Sequence, residues 1–77
     1  MKHFTFTLKK TRHESDTQYI DKVANNFSRR GLDYTKAEKV VRETMRHNGY
    51  NDNNGISTSI DSSGFGTFTI TFDIYSD

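Results

Sequence analysis

The residues able to move protons or hold metals are few and scattered along the 77-residue chain. The densest group is "HESDT", which brings His13, Glu14 and Asp16 close together in sequence. A proton relay could be drawn through them, but carboxylates and hydroxyls just ahead of a helix serve first as caps and solvated loop groups. The stretch begins like HExxH, in which two histidines one helical turn apart hold zinc, yet the second histidine is missing. His3, His13 and His47 are spread too widely for a zinc framework. Cysteine is absent, and no serine stands in a GxSxG elbow. We therefore expect no catalytic residues, no metal, no cofactor and no enzymatic activity.

Two glycine-bearing stretches invite ligand readings. In "YNDNNG", placing Gly55 at the sixth position of a calcium loop sets Asp52, Asn54 and Asp61 at ligand positions. Tyr50 would then hold the first ligand place, and a strand follows where a helix is needed, so a polar turn is the better reading. "GFG" at 64–66 is too short for a phosphate cradle, and no helix follows it. A tight hairpin is expected there, with Phe65 either folded back over the core edge or projecting as an anchor; folding back is the first expectation.

The cations are more informative. Net charge is only +1, but residues 1–46 hold all eleven Lys and Arg beside six acids, a net of +5. Residues 47–77 hold four aspartates and no Lys or Arg, a net of −4. The two halves should present different fields to partners. Lys9, Lys10 and Arg12 form one cluster, with His13 beside it, and Arg29 and Arg30 a second. Lys36, Lys39, Arg42 and Arg46 recur at helical spacing and could follow a phosphate backbone, though Glu38 and Glu43 beside them favour a solvated face.

Elements must position these groups. "HFTFTLK" at 3–9 alternates Phe4, Phe6 and Leu8 with polar residues, the period of a half-buried strand. Ser15 or Asp16 is expected to cap a helix over 17–30, with Tyr19, Ile20, Val23, Ala24 and Phe27 on its apolar stripe. Gly31 stops it. A second helix, capped by Thr35 through "TKAE" or by Asp33, buries Ala37, Val40, Val41, Thr44 and Met45 and ends at Gly49. Ile56, Thr58 and Ile60 mark a second strand. "GTFTITFDIYS", 66–76, marks a third, with Phe68, Ile70, Phe72 and Ile74 inward.

The expected fold is α+β in the order β-α-α-β-β: one domain over 1–77, a three-stranded antiparallel sheet with a two-helix hairpin on one face. The third strand should lie centrally and the other two at the edges. Thr5, Thr7, Ser57, Ser59, Thr67, Thr69 and Thr71 should share the uncovered face, as its wet side or as a surface for a flat partner. No apolar run is long enough to span a membrane, and "MKHFTFTLKK" lacks the apolar block of a signal peptide, which predicts a cytoplasmic protein. Asn26-Phe27-Ser28 then matches the glycosylation pattern by chance.

Residues 3–46 bear a faint resemblance to ribbon-helix-helix repressors, through the strand "HFTFTLK", a helix, the turn "RRGLDYT" and a second helix. That resemblance implies a dimer whose Thr5, Thr7 and Lys9 enter the major groove. The strand-to-helix connection is longer than in that family, and two further strands offer the first an intramolecular partner. In general character the whole chain, small, free of cysteine and proline and without a catalytic constellation, resembles phage-encoded inhibitors such as the anti-CRISPR proteins. The resemblance implies a non-enzymatic protein, phage or mobile-element encoded and acting in the host cytoplasm, that blocks a surface of a host defence nuclease or ribonucleoprotein. The expected contacts are Lys9, Lys10, Arg12, Arg29 and Arg30, with Tyr34 as an aromatic anchor, in a monomer or homodimer. The alternative is a small DNA- or RNA-binding regulator, possible in dimeric form.

Overall fold

In a computed structural model the described residues are 2–76. Six elements follow in order: β1 (Lys2–Lys10), α1 (Asp16–Ser28), α2 (Tyr34–His47), β2 (Gly49–Asn51), β3 (Ile56–Gly64) and β4 (Thr67–Ser76). The sheet is antiparallel with strand order β1-β4-β3-β2, and the helices cover one face. The α+β class and the central place of the last strand hold. The strand count does not: there are four strands, not three.

The added strand, β2, is three residues long and pairs Tyr50 with Thr58 on β3. "NDNNG" is therefore the connection of a β2–β3 hairpin. Three residues cannot display a period of two, so only pairing with β3 defines this strand. Three of the nine residues of β3 are consequently covered on the side expected to be an open edge, while β3 itself runs on to Gly64, with a bulge between Ser62 and Gly64.

Caps set the helix bounds. Ser15 accepts from the Gln18 amide while the Gln18 side chain accepts from the Ser15 amide, a reciprocal capping box. Asp33, not Thr35, caps α2 by accepting from the Lys36 amide at 2.8 Å. The left-handed residue ending α2 is Asn48 (φ 59°), with Gly49 extended behind it. Asparagine tolerates that conformation, which freed Gly49 to begin β2.

The sheet's inner face sets Phe4, Ile74 and Ile56 in one row, Phe6, Phe72 and Thr58 in the next, then Leu8, Ile70 and Ile60. Phe6 stacks on Phe72 at 4.8 Å, and Phe27 of α1 meets both rings edge-on at 6.2 and 5.9 Å. Tyr19 is fully buried and its hydroxyl donates to the Leu8 carbonyl at 2.6 Å. Burial pushes that hydroxyl's pKa well up, so it stays a donor. Thr44, also fully buried, donates to the Val40 carbonyl and meets the Thr58 hydroxyl at 2.6 Å. That contact ties α2 to the one polar residue in the inner rows of β3.

Candidate functional site: the β3–β4 hairpin tip

Strand alternation decides which cations reach solvent. Phe4, Phe6, Leu8 and Lys10 share one parity, so Lys10 turns to the helix-covered face and is 8% exposed. Its ammonium lies 5.7 Å from the Phe68 ring centre and 3.8 Å from Asp16. Lys9 faces the other way, exposed, at the end of the open face.

Beyond Lys9 the chain passes the tip of the β3–β4 hairpin. Gly64 pairs with Thr67, leaving Phe65 and Gly66 as a two-residue turn in which both have positive φ (54° and 75°), the type I′ pattern. A Cβ built on Gly66 would stand 3.4 Å from the Arg12 Cβ, so Arg12 lies directly against the turn. Lys9, Arg12 and His13 line one side of a shallow cleft of about 410 Å³, and Ser63, Gly64, Phe65 and Thr67 the other. None of the cleft's lining residues is acidic. Glu14, nearby in sequence, is occupied: it accepts from the Thr11 amide and pairs with Lys22 at 2.8 Å. The Lys22 hydrogen bond chiefly, with the Thr11 amide, holds its carboxyl below the usual value.

Phe65 does not fold back. It is 89% exposed, the most exposed large apolar side chain among the described residues. It also occupies a backbone region that L-residues enter at a cost of roughly 1–2 kcal/mol, where hairpins of this type normally place Asn, Asp or Gly. A bulky apolar side chain thus stands in solvent on a strained backbone, and no contact among the described residues accounts for it.

The remaining predicted contacts gather elsewhere. Arg29, Arg30 and Tyr34 flank the α1–α2 turn, at the opposite end of α1 from Lys9 and Arg12. The helix is 13 residues long, about 20 Å at 1.5 Å per residue. Arg29 is exposed and Tyr34 is 42% exposed. Arg30 is packed, its guanidinium 5.0 and 4.9 Å from the ring centres of Phe4 and Phe6 while it donates to the Asn26 carbonyl at 2.8 Å.

Arg30 also borders a second cleft, of about 690 Å³, with Lys36, Asp52, Ile74 and Tyr75 among its walls. Asp52 accepts from the amides of Asn54 and Ile56 and pairs with Lys36 at 3.0 Å. Burial works against the Asp52 carboxylate, but those amides and Lys36 outweigh it and hold its pKa below the ordinary value. Lys36 is raised in turn, mainly by its bond to Asp52. Of the three groups set at calcium-ligand positions, Asp52 is thus engaged by the chain itself. Among the described residues no group of three or more His, Asp or Glu is placed to hold a metal ion.

Folding also closes part of the charge asymmetry. Asp52 meets Lys36, and Asp73 lies 3.2 Å from His3 Nε2 and accepts from Thr5 at 2.8 Å. Of the basic stripe on α2, Arg42 pairs with Glu38, Arg46 with Glu43, and Lys36 with Asp52, leaving Lys39 exposed. Among the described residues no helix is long and apolar enough to cross a membrane. Comparison with known families finds no matching family model, and comparisons with curated proteins and with solved structures find no match either.

Proposed function

We propose that this chain is a non-enzymatic binding protein that occupies a surface of a larger protein or ribonucleoprotein through the β3–β4 hairpin tip. Phe65 is the apolar anchor, and Lys9 and Arg12 supply the adjacent positive rim, with His13 beside them accepting from Arg12. The observation that carries this reading is the exposure of Phe65 on a strained backbone, since a turn serving only the fold would hold a small residue there. Interface hot spots combine an aromatic anchor with arginine, and Arg12 stands beside Phe65. The general resemblance to small phage-encoded inhibitors extends the proposal to its use: blocking a host defence nuclease complex, anti-CRISPR-like, in the host cytoplasm.

A photo-crosslinking amino acid in place of Phe65 tests this directly. Crosslinking to a discrete protein, absent when the same group replaces exposed Asn25 on α1, is the expected result. Equal crosslinking from both positions would remove the tip from the account.

The second reading is a nucleic-acid binder, favoured by the same cleft because aromatic side chains beside cations stack bases and follow phosphates. It predicts affinity for bare nucleic acid that falls steeply with salt. Affinity that hardly changes between low and moderate salt counts against it.

A further inference from the structure

β1 forms one edge of the sheet, pairing only with β4, through nine residue pairs from Lys2–Ser76 to Lys10–Phe68 without a register shift. Such an edge invites further pairing, and exposed edges are usually blunted by shortness, bulges, proline or central charges. The opposite edge shows those devices: β2 is three residues long, and the rest of β3 carries Asp61 and a bulge. β1 has no bulge and no proline, and its centre from Phe4 to Leu8 is uncharged.

Its backbone groups can be placed. The two-residue turn makes Gly64–Thr67 a hydrogen-bonded pair, so Thr67, Thr69 and Thr71 turn their backbone groups to β3 and Ile70 turns its own to Leu8 of β1. By alternation the backbone groups of Thr5 and Thr7 point to the free edge. The Lys9 carbonyl, of the same parity, accepts from Lys22 at 3.2 Å, and Lys22 also pairs with Glu14 at 2.8 Å, which leaves one of its three ammonium donors for a further acceptor.

Above this edge stands a polar row. Asn26 donates to the Lys22 carbonyl, and Arg30 donates to the Asn26 carbonyl, so the three align one turn apart on the β1 side of α1. Arg30 Nε is buried without a hydrogen-bond partner, and Arg30 joins no ion pair among the described residues. Lys22 and Arg30 are eight residues apart, about 12 Å along a helix. In an extended strand about 13 Å separates side chains four positions apart on one face.

We propose that the free edge of β1, overhung by Lys22, Asn26 and Arg30, accepts an extended segment of a partner protein as a fifth strand, with carboxylates four residues apart on its helix-facing side. This rests on the reading of the chain as a protein binder and adds a second contact to the hairpin tip. A second copy is the poorer occupant: antiparallel self-pairing about Phe6 sets Lys2 opposite Lys10 at both ends of the pairing, like charges face to face.

The test uses the full chain, isotopically labelled, and a synthetic peptide of alternating Thr and Val with two Glu four positions apart, beside a control with Lys for Glu. With the Glu peptide, amide exchange at Thr5 and Thr7 should slow at least about tenfold, as for amides newly held in a ladder. Arg30→Gln should weaken peptide binding roughly tenfold, the scale of a hydrogen bond to a charged group. Lys22→Gln repeats that comparison without disturbing the packing over Phe4 and Phe6. Unchanged exchange at Thr5 and Thr7, equal binding of the Lys peptide, or a dimer by sedimentation at the assay concentration overturns the proposal. Partner crosslinking from position 65 with no protection of Thr5 and Thr7 overturns strand docking alone, and protection without crosslinking overturns the tip reading alone.

Discussion

Replacing Phe65 by asparagine should make the chain more stable while removing its anchor. Phe65 has φ 54° and is 89% exposed, so the native state gains little burial from the ring. An L-residue in the left-handed region costs about 1–2 kcal/mol, and asparagine recovers much of that by bonding locally to the backbone. The expected gain is about 1 kcal/mol, which for a domain of this size raises Tm by roughly 4–8 °C. Calorimetric melting at several scan rates, checked by the midpoint of urea unfolding, measures it. Phe65→Gly should gain less, because glycine adds unfolded-state entropy. A fall in Tm for Phe65→Asn would refute the reasoning, since it would mean that the ring holds the fold together and is not spent on a partner.

Three further outcomes follow from the packing. Thr44→Val removes a buried donor and strands the Thr58 hydroxyl, and should cost about 1–2 kcal/mol in urea unfolding. Adding Thr58→Val should recover most of that, and a double-mutant cycle showing simple additivity would contradict the coupling. Gly55→Ala should destabilise by more than about 1 kcal/mol, because φ is 125° and the new Cβ would meet the Tyr75 carbonyl oxygen; an unchanged melting curve contradicts it. The Asp52–Lys36 pair should imprint on the pH profile. The folded pKa of Asp52 is depressed, so its contribution is complete above the ordinary 3.8 and is lost as pH falls through the lower folded value. Lys36 is raised, so its contribution is complete below 10.5 and is lost as pH rises through the higher folded value. Asp52→Asn should flatten both limbs, and limbs that persist would assign them to other groups.

Much of this fold was legible because its long elements keep their periods. Phe4, Phe6 and Leu8 announced β1, and Ser15, one of two cap candidates beside Asp16, announced the start of α1. β2 was not legible, since three residues carry no period and only the Tyr50–Thr58 pairing makes them a strand. The last three residues of β3 were hidden likewise, because "SSG" is turn-like by composition and becomes strand by lying against β4. At the candidate site, Lys9 and Arg12 were found from charge alone. Lys10 was grouped with them, although its parity with Leu8 already assigned it to the covered face. Phe65 was misplaced because the expectation weighed apolar burial and not the turn. A two-residue connection ending in glycine is a type I′ signal, and that geometry turns the preceding side chain outward. Lys22 was missed and Asn26 was noted only within a glycosylation pattern, since only the packing of α1 shows which of its flanks lies over the β1 edge.

The most direct test of the central claim is capture from nuclease-treated host lysate with tagged native chain and tagged Phe65→Asn in parallel. The account predicts a discrete protein complex with the native chain, lost with Phe65→Asn although that variant is folded and at least as stable. Equal capture by both would contradict the tip as the binding surface. A complex seen only when nuclease is omitted would make nucleic acid the bridge and contradict direct protein binding.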